Sequence, residues 1–177
     1  LAGFIVGVVE ERGRPGVDRV GAGDALVGLA SDGFHTNGYS LLRKLIFERL
    51  DLGLEDPFPG ADASVEEVLL RVHRSYAGAV LPLLGGGEIH ALAHITGGGI
   101  PGNLDRSIPE GLQARVRRSS WDVPAEFLGV MEAGGVAEPE MFRTFNMGVG
   151  MVLIVAPEAA HALVSALAAA GEDAWVL

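Results

Sequence analysis

The sequence contains no cysteine, which excludes disulfides and thiolate chemistry and suits a cytoplasmic protein. Lysine is almost as scarce: Lys44 stands alone, and arginine supplies the rest of the 13 basic residues. Against 23 acidic residues this leaves a formal charge of −10. Such a balance argues against a nucleic-acid partner, because a phosphate backbone calls for a basic face. A small anion needs only local donors and stays possible. No apolar run is long enough to span a membrane, and the N-terminus lacks the basic-then-apolar order of a signal peptide. No internal repeat, low-complexity linker or Walker lysine motif is present, so a P-loop protein is excluded.

What is present is apolar residue in quantity, 49% of 177 residues, enough to build the core of one domain over residues 1–177. Both ends are apolar, whereas natural termini are usually polar and loose. The expectation is therefore a piece of a longer protein, lacking a segment before Leu1.

Along the chain, residues 4–9 and 26–30 read as strands and 39–50 as a helix with Leu41, Leu42, Leu45 and Ile46 at helical spacing. Ser64 and Glu67 form a capping box for a helix carrying Val65, Val68, Leu69 and Val72 on one side. A further helical run over 80–84 ends near Pro82. Residues 89–95 form a strand, 103–105 a helical turn, and 114–118 a strand with one exposed face. Residues 124–133 form a helix with Asp122 near its N-cap, closed by Gly134 and Gly135. Another helical piece covers 138–145. Residues 148–155 are a strongly apolar strand, 157–170 a helix stopped by Gly171, and 175–177 a last strand. Interleaved strands and helices predict an α/β or α+β fold, a sheet covered by helices.

Two stretches repeat one device, a strand followed by a polar loop and a helix start, which aims backbone N–H groups at an anion. The first is Ser31, Asp32, Gly33, Phe34, His35, Thr36, Asn37 and Gly38; the second is His94, Ile95, Thr96, Gly97, Gly98 and Gly99, running on to Asn103. Both are expected beside one phosphorylated ligand. Three adjacent glycines are entropically costly, and close approach of backbone to an anion is the reason to keep them. Gly97-x-Gly99-x-x-Gly102 also fits the dinucleotide fingerprint, with Asp122 at the expected distance. Pro101 and Pro109, however, leave no room for the crossover helix that motif requires. His90 and His94 share a strand face, but no third ligand is evident, so no metal is expected. His90 reads as structural and His94 as lining the site.

Taken together, S-D-G-F-H-T-N-G-Y-S-L, A-H-I-T-G-G-G, S-S-W, M-F-R-T-F-N-M-G-V-G-M and G-E-D-A-W resemble, in order, the C-terminal half of the phosphoribosylformylglycinamidine cyclo-ligases, the aminoimidazole ribonucleotide synthetases of purine biosynthesis. One departure is Val72-His73-Arg74-Ser75-Tyr76, where a Pro-Thr-Arg-Ile-Tyr type of segment is expected. The resemblance implies a mixed sheet flanked by helices in three α/β/α layers, with a partly ferredoxin-like topology. It implies ATP and Mg2+ held mainly by an N-terminal domain that this chain lacks, a homodimer in the full-length enzyme, and an inactive fragment on its own.

It further implies that His35 and Asn37 contact the amidine or formyl group or move a proton during ring closure. Ser31, Asp32, Gly33, Thr36, Gly38, His94, Thr96, Gly97, Gly98 and Gly99 would bind the substrate, the glycine loop taking the ribose 5′-phosphate. Asn103, Arg143 and Asn146 would stand at the site's edge, and Trp121 would pack rather than stack on substrate. The alternatives are a related enzyme of the formylglycinamidine ribonucleotide synthetase, selenophosphate synthetase or thiamine-phosphate kinase type, and a catalytically silent phosphate-binding module.

Overall fold

In the computed structural model, residues 4, 6–11 and 13–177 are described. The elements are β1 (Ala25–Ala30), α1 (Tyr39–Arg43), α2 (Val65–Leu69), α3 (Ala77–Val80), β2 (Ile89–His94), α4 (Gly99–Leu104), α5 (Ala125–Gly134), α6 (Glu138–Thr144), β3 (Val149–Val155), α7 (Ala160–Ala169) and β4 (Ala174–Val176). The strands form one sheet in the order β2-β3-β1-β4. Every ladder in it is antiparallel, rather than mixed as expected. The ferredoxin-like expectation accounts for this: in a split β-α-β arrangement the crossover-linked strands are separated by an antiparallel neighbour. A long excursion, residues 95–148, is inserted between β2 and β3.

Both faces of the sheet are covered. On one, Val27, Leu29, Leu153 and Val155 meet Tyr76, Val80, Leu163 and Leu167 from the α3 and α7 side. On the other, Leu26, Ala93, Val152 and Ile154 meet Ile100 and Leu104 of α4 and the segment that follows it. Burial on both sides is why β1 and β3 read as continuous apolar runs. A third cluster lies among helices: Phe34, Leu42, Ile46, Phe58, Phe127, Met141 and Phe145. The Phe34 ring sits 4.5 Å from Phe127 and 5.3 Å from Phe145, so the loop after β1 is pinned by its own aromatic residue.

The helix expected over 39–50 is present but widens into π-type turns over Lys44–Arg49. The capping box is formed in both directions, Glu67 N–H to Ser64 Oγ at 3.2 Å and Ser64 N–H to Glu67 Oε2 at 2.8 Å. α2 nevertheless stops at Leu69, and Val72, expected on its apolar side, is 80% exposed. Two anchors explain the early stop: the Tyr39 hydroxyl donates to Leu69 O at 2.7 Å, and the Tyr76 hydroxyl donates to Ala30 O at 2.7 Å. Between them, residues 71–75 must cross from the helical cluster to the sheet outside any helix or strand. Tertiary contacts outweigh local periodicity here.

Three other expectations need correcting. Residues 114–118 alternate in burial, Ala114 and Val116 lying on the sheet-side cluster, but pair with no strand. The residue preceding α5 is Pro124, with no side-chain cap, so Asp122 does not cap it. In the strand expected over 4–9, residue 5 lies outside the described residues, while Phe4, Val6, Val8 and Val9 are exposed and in no strand. Strand hydrogen bonding needs a neighbour, and none of the described strands pairs with these residues.

Candidate functional site

The two loops singled out in the sequence meet. Asn37 Oδ1 accepts from the Gly97 N–H at 3.1 Å, and Asn37 Nδ2 donates to His35 O at 2.9 Å, so one side chain stitches residues 31–38 to the glycine loop.

Each loop has an internal brace. Asn146, wholly buried, accepts at Oδ1 from Ser31 Oγ–H and Gly148 N–H, both at 2.9 Å, and donates from Nδ2 to Gly33 O at 2.9 Å. Asn103 does the same for the second loop. It donates to the carbonyls of Thr96, Gly97 and Gly99 at 3.2, 3.3 and 2.8 Å, and accepts from Thr96 Oγ1 at 3.1 Å. Both residues, expected at the edge, are interior props. Arg143 is three-quarters exposed and pairs with Glu140, one turn back on its own helix.

The glycines separate into kinds. Gly38 and Gly99 have positive φ, and a Cβ on either would collide with the α6 end, 2.3 Å from the Phe145 ring and 1.8 Å from Phe142 O respectively. Gly98 has φ +103 with nothing closer than 3.6 Å. At Gly97 φ is not positive and a Cβ would meet nothing within 4 Å. Packing therefore explains Gly38 and Gly99, and leaves Gly97 without a structural reason.

His35 and Thr36 are both left-handed, at φ 51 and 62. That strain is unusual for any non-glycine and most of all for a β-branched residue. It is held by His35 itself. Its Nε2 accepts from the Asp32 N–H at 2.8 Å, with the Arg74 N–H at 3.4 Å, so the ring proton sits on Nδ1, which is buried without a partner. Burial, then the nearby His73, His94 and Arg74, push the His35 pKa down to about 4. The ring is neutral at pH 7 and its one lone pair is already committed to the backbone. In this geometry His35 positions the loop, and the lone pair with which it would move a proton is held by the Asp32 amide.

This arrangement has a consequence for stability. Unfolded, His35 titrates near 6.5, above its folded value of about 4, so the unfolded chain binds more protons between the two. The stabilisation is complete above pH 6.5 and is lost as pH falls toward 4. With a chelator present, the unfolding free energy attributable to His35 should drop by about 2 kcal/mol between pH 7 and pH 5. Urea titrations at both pH values would show it as a difference from His35→Gln. Equal slopes in the two proteins would reject it.

Sequence reasoning missed the segment that crosses beside this loop. The His73 ring stacks on His35 at 4.1 Å and 16°, and His73 Nε2 lies 3.1 Å from His94 Nε2 at the end of β2. Burial, then His73, holds the His94 pKa below its ordinary value. Arg71 reaches Asp32 at 3.6 Å and Glu126 at 3.0 Å, and Arg74 reaches Glu172 at 3.2 Å. The β1–β3 register breaks opposite Leu29 and Ala30, leaving Gly150 unpaired there. A Cβ at Gly150 would lie 1.9 Å from the Tyr76 hydroxyl and 2.9 Å from the His35 ring, so this bulge makes room for both. The density of arginine and histidine in R-V-H-R-S-Y was the available signal. His90, by contrast, is held by Asp24 at 2.8 Å, apart from this group. Beneath His73 and His94 lies a cavity of about 380 Å3 lined by Tyr76, Val80, Leu92 and Met151. Trp121 packs against Trp175 and donates to Met147 O at 2.9 Å.

Residues 21–177 match the family described as AIR synthase related protein, C-terminal domain. Proteins named phosphoribosylformylglycinamidine cyclo-ligase are similar over the whole chain. Identity is 44% over 177 residues in Trichlorobacter lovleyi, 45% over 177 in Geotalea daltonii and 46% over 179 in Sorangium cellulosum. The chain spans about half of the length of each, 51%. Among the described residues, no helix is long and apolar enough to cross a membrane.

Proposed function

Since the chain belongs to the AIR synthase related family, as its C-terminal domain, we propose that it is the C-terminal half of a cytoplasmic phosphoribosylformylglycinamidine cyclo-ligase. The reaction closes the imidazole ring of aminoimidazole ribonucleotide from formylglycinamidine ribonucleotide. ATP with Mg2+, bound mainly by an N-terminal domain, activates the formyl oxygen; the nearby amine nitrogen attacks and phosphate leaves. A homodimer of the full-length protein is part of the same reading.

The observation that carries the proposal is the Asn37–Gly97 contact, which sets two polar loops side by side at the sheet's end. Ring closure needs nucleophile and electrophile held together and the charge on phosphate met by fixed donors. The Gly97 amide now donates to Asn37 Oδ1, an acceptor whose place a substrate oxygen would take. Asn37, once released, is free to reach the reacting amide. His35 keeps the loop strained and neutral, and Asn103 and Asn146 keep both loops in register without touching substrate. The exposed His94 stands at the mouth as the group able to exchange a proton.

In the full-length enzyme, Asn37→Ala should lower kcat for ring closure on the order of 100-fold, as expected for lost orientation. The unfolding free energy should change by no more than about 1 kcal/mol, the worth of one or two hydrogen bonds. Turnover within threefold of the parent enzyme would remove Asn37 from the chemistry. Restoration of ATP-dependent ring closure on mixing this chain with the N-terminal domain would support the assignment. Turnover of a thiamine phosphate or selenide substrate in its place would redirect it within the superfamily.

A further inference from the structure

We propose that His73 and His94 form an open binding site for a divalent transition-metal ion of the zinc or nickel class, with His35 stacked behind as the ring that orients His73. The site is built from residues of this chain alone and does not rest on the ring-closing reading, although an ion bound there would occupy the His94 nitrogen that reading leaves free to exchange a proton.

The geometry is nearly that of a ligated pair. Imidazole nitrogens bind zinc at about 2.0–2.1 Å, so two of them on one tetrahedral ion sit roughly 3.3 Å apart. His73 Nε2 and His94 Nε2 are 3.1 Å apart, and a ring nitrogen of each of the three histidines lies within 4.8 Å of the others. The separation need grow by only a few tenths of an ångström, and the two rings must swing so that both Nε2 lone pairs converge on the ion. Without metal, two facing nitrogens must share one proton, one ring donating and the other accepting. With metal, both Nε2 atoms turn lone pairs inward; the ring that donated shifts its proton from Nε2 to Nδ1 through solvent, the other keeps its proton on Nδ1, and the two neutral rings lose no proton overall.

Charge and access fit the same reading. His94 is exposed and His73 half-buried, so solvent reaches the pair and can fill the remaining coordination positions. Arg74, next to His73 in the chain, is answered by Glu172 at 3.2 Å. His35 is not a ligand while its Nε2 holds the Asp32 amide. Its contribution is to fix the His73 ring plane by stacking, the outer-shell role that orients metal-binding imidazoles. His73 also lies in the segment, Val72 to Tyr76, at which the sequence departs from the one its family resemblance leads one to expect.

The test uses the 177-residue chain without a polyhistidine tag, stripped with chelator and titrated calorimetrically with Zn2+ or Ni2+. Co2+ absorption provides a second reading of nitrogen ligation. One ion per chain is expected, with affinity falling more than tenfold in His73→Gln and in His94→Gln, and about tenfold in His35→Gln. Glutamine keeps a hydrogen-bonding group at each position, and circular dichroism confirms that each variant is folded. His161→Gln, an exposed histidine on α7, should bind like the parent chain. Absence of binding, or affinity unchanged in both His73→Gln and His94→Gln, would show that the pair is only a shared-proton hydrogen bond and overturn the proposal.

Discussion

Asn146→Leu should destabilise the chain by about 4 kcal/mol, far more than the loss of one polar side chain would suggest. Leucine matches asparagine closely in shape, so no cavity is opened and no apolar contact is lost. What changes is that the Ser31 hydroxyl, the Gly148 amide and the Gly33 carbonyl lose their partner together. Asn146 is wholly buried, which leaves no water to take its place. An unsatisfied buried donor or acceptor costs roughly 1–3 kcal/mol, and three of them set the scale. Ser31→Ala, which removes one donor and leaves the other two bonds intact, should cost only about 1 kcal/mol. Asn146→Asp should not rescue, because it restores an acceptor for Ser31 and Gly148 but offers Gly33 no donor and adds a buried charge. Denaturant midpoints decide the matter: Asn146→Leu within 1 kcal/mol of the parent chain would mean that the loop re-pairs its backbone elsewhere. Hydrogen exchange should quicken in residues 31–38 well before β1, since the brace joins that loop to the start of β3.

That brace illustrates which parts of the molecule local sequence could reveal. β1 and β3 announced themselves as apolar runs because both of their faces are covered. The Ser64–Glu67 box was legible because the pairing is local, three residues apart. The two loops were legible as a polar cluster and a glycine run. Asn103 and Asn146 could be placed near them, but their tasks could not be read, since one of Asn146's partners lies 115 residues away. The crossing segment was harder still. Val65, Val68, Leu69 and Val72 carry a helical period, and only the two tyrosine anchors, set by tertiary structure, end the helix at Leu69. Once it ends there, His73 is carried to the sheet edge and meets His35 and His94 from two other elements. A cluster whose members are 35, 73 and 94 in the chain leaves no local pattern. Residues 114–118 show the converse error: burial on one side produces alternation whether or not a strand lies alongside.

The glycine loop allows packing and binding to be separated by one pair of substitutions. Gly99→Ala should destabilise the chain by about 2–5 kcal/mol. The left-handed backbone at φ +62 disfavours any L side chain by roughly 1–2 kcal/mol. The remainder comes from the new Cβ, placed 1.8 Å from Phe142 O and 3.1 Å from Phe145 O, which forces α4 and α6 apart at roughly 1–3 kcal/mol or more. Gly97→Ala sits two residues earlier with ordinary φ and free space around its Cβ, so stability should stay within about 0.5 kcal/mol. If the proposed function holds, its effect should instead appear in the full-length enzyme, where a methyl group at the surface of the loop would stand in the way of an approaching phosphate oxygen. There KM for the phosphorylated substrate should rise at least about tenfold, the equivalent of one lost charge-assisted hydrogen bond. Unfolding curves and steady-state kinetics must therefore separate the two variants: a large stability loss for one, a large KM change for the other. If Gly97→Ala leaves both KM and stability alone, the loop is a turn shaped by its contact with α6, and the phosphate must be held elsewhere.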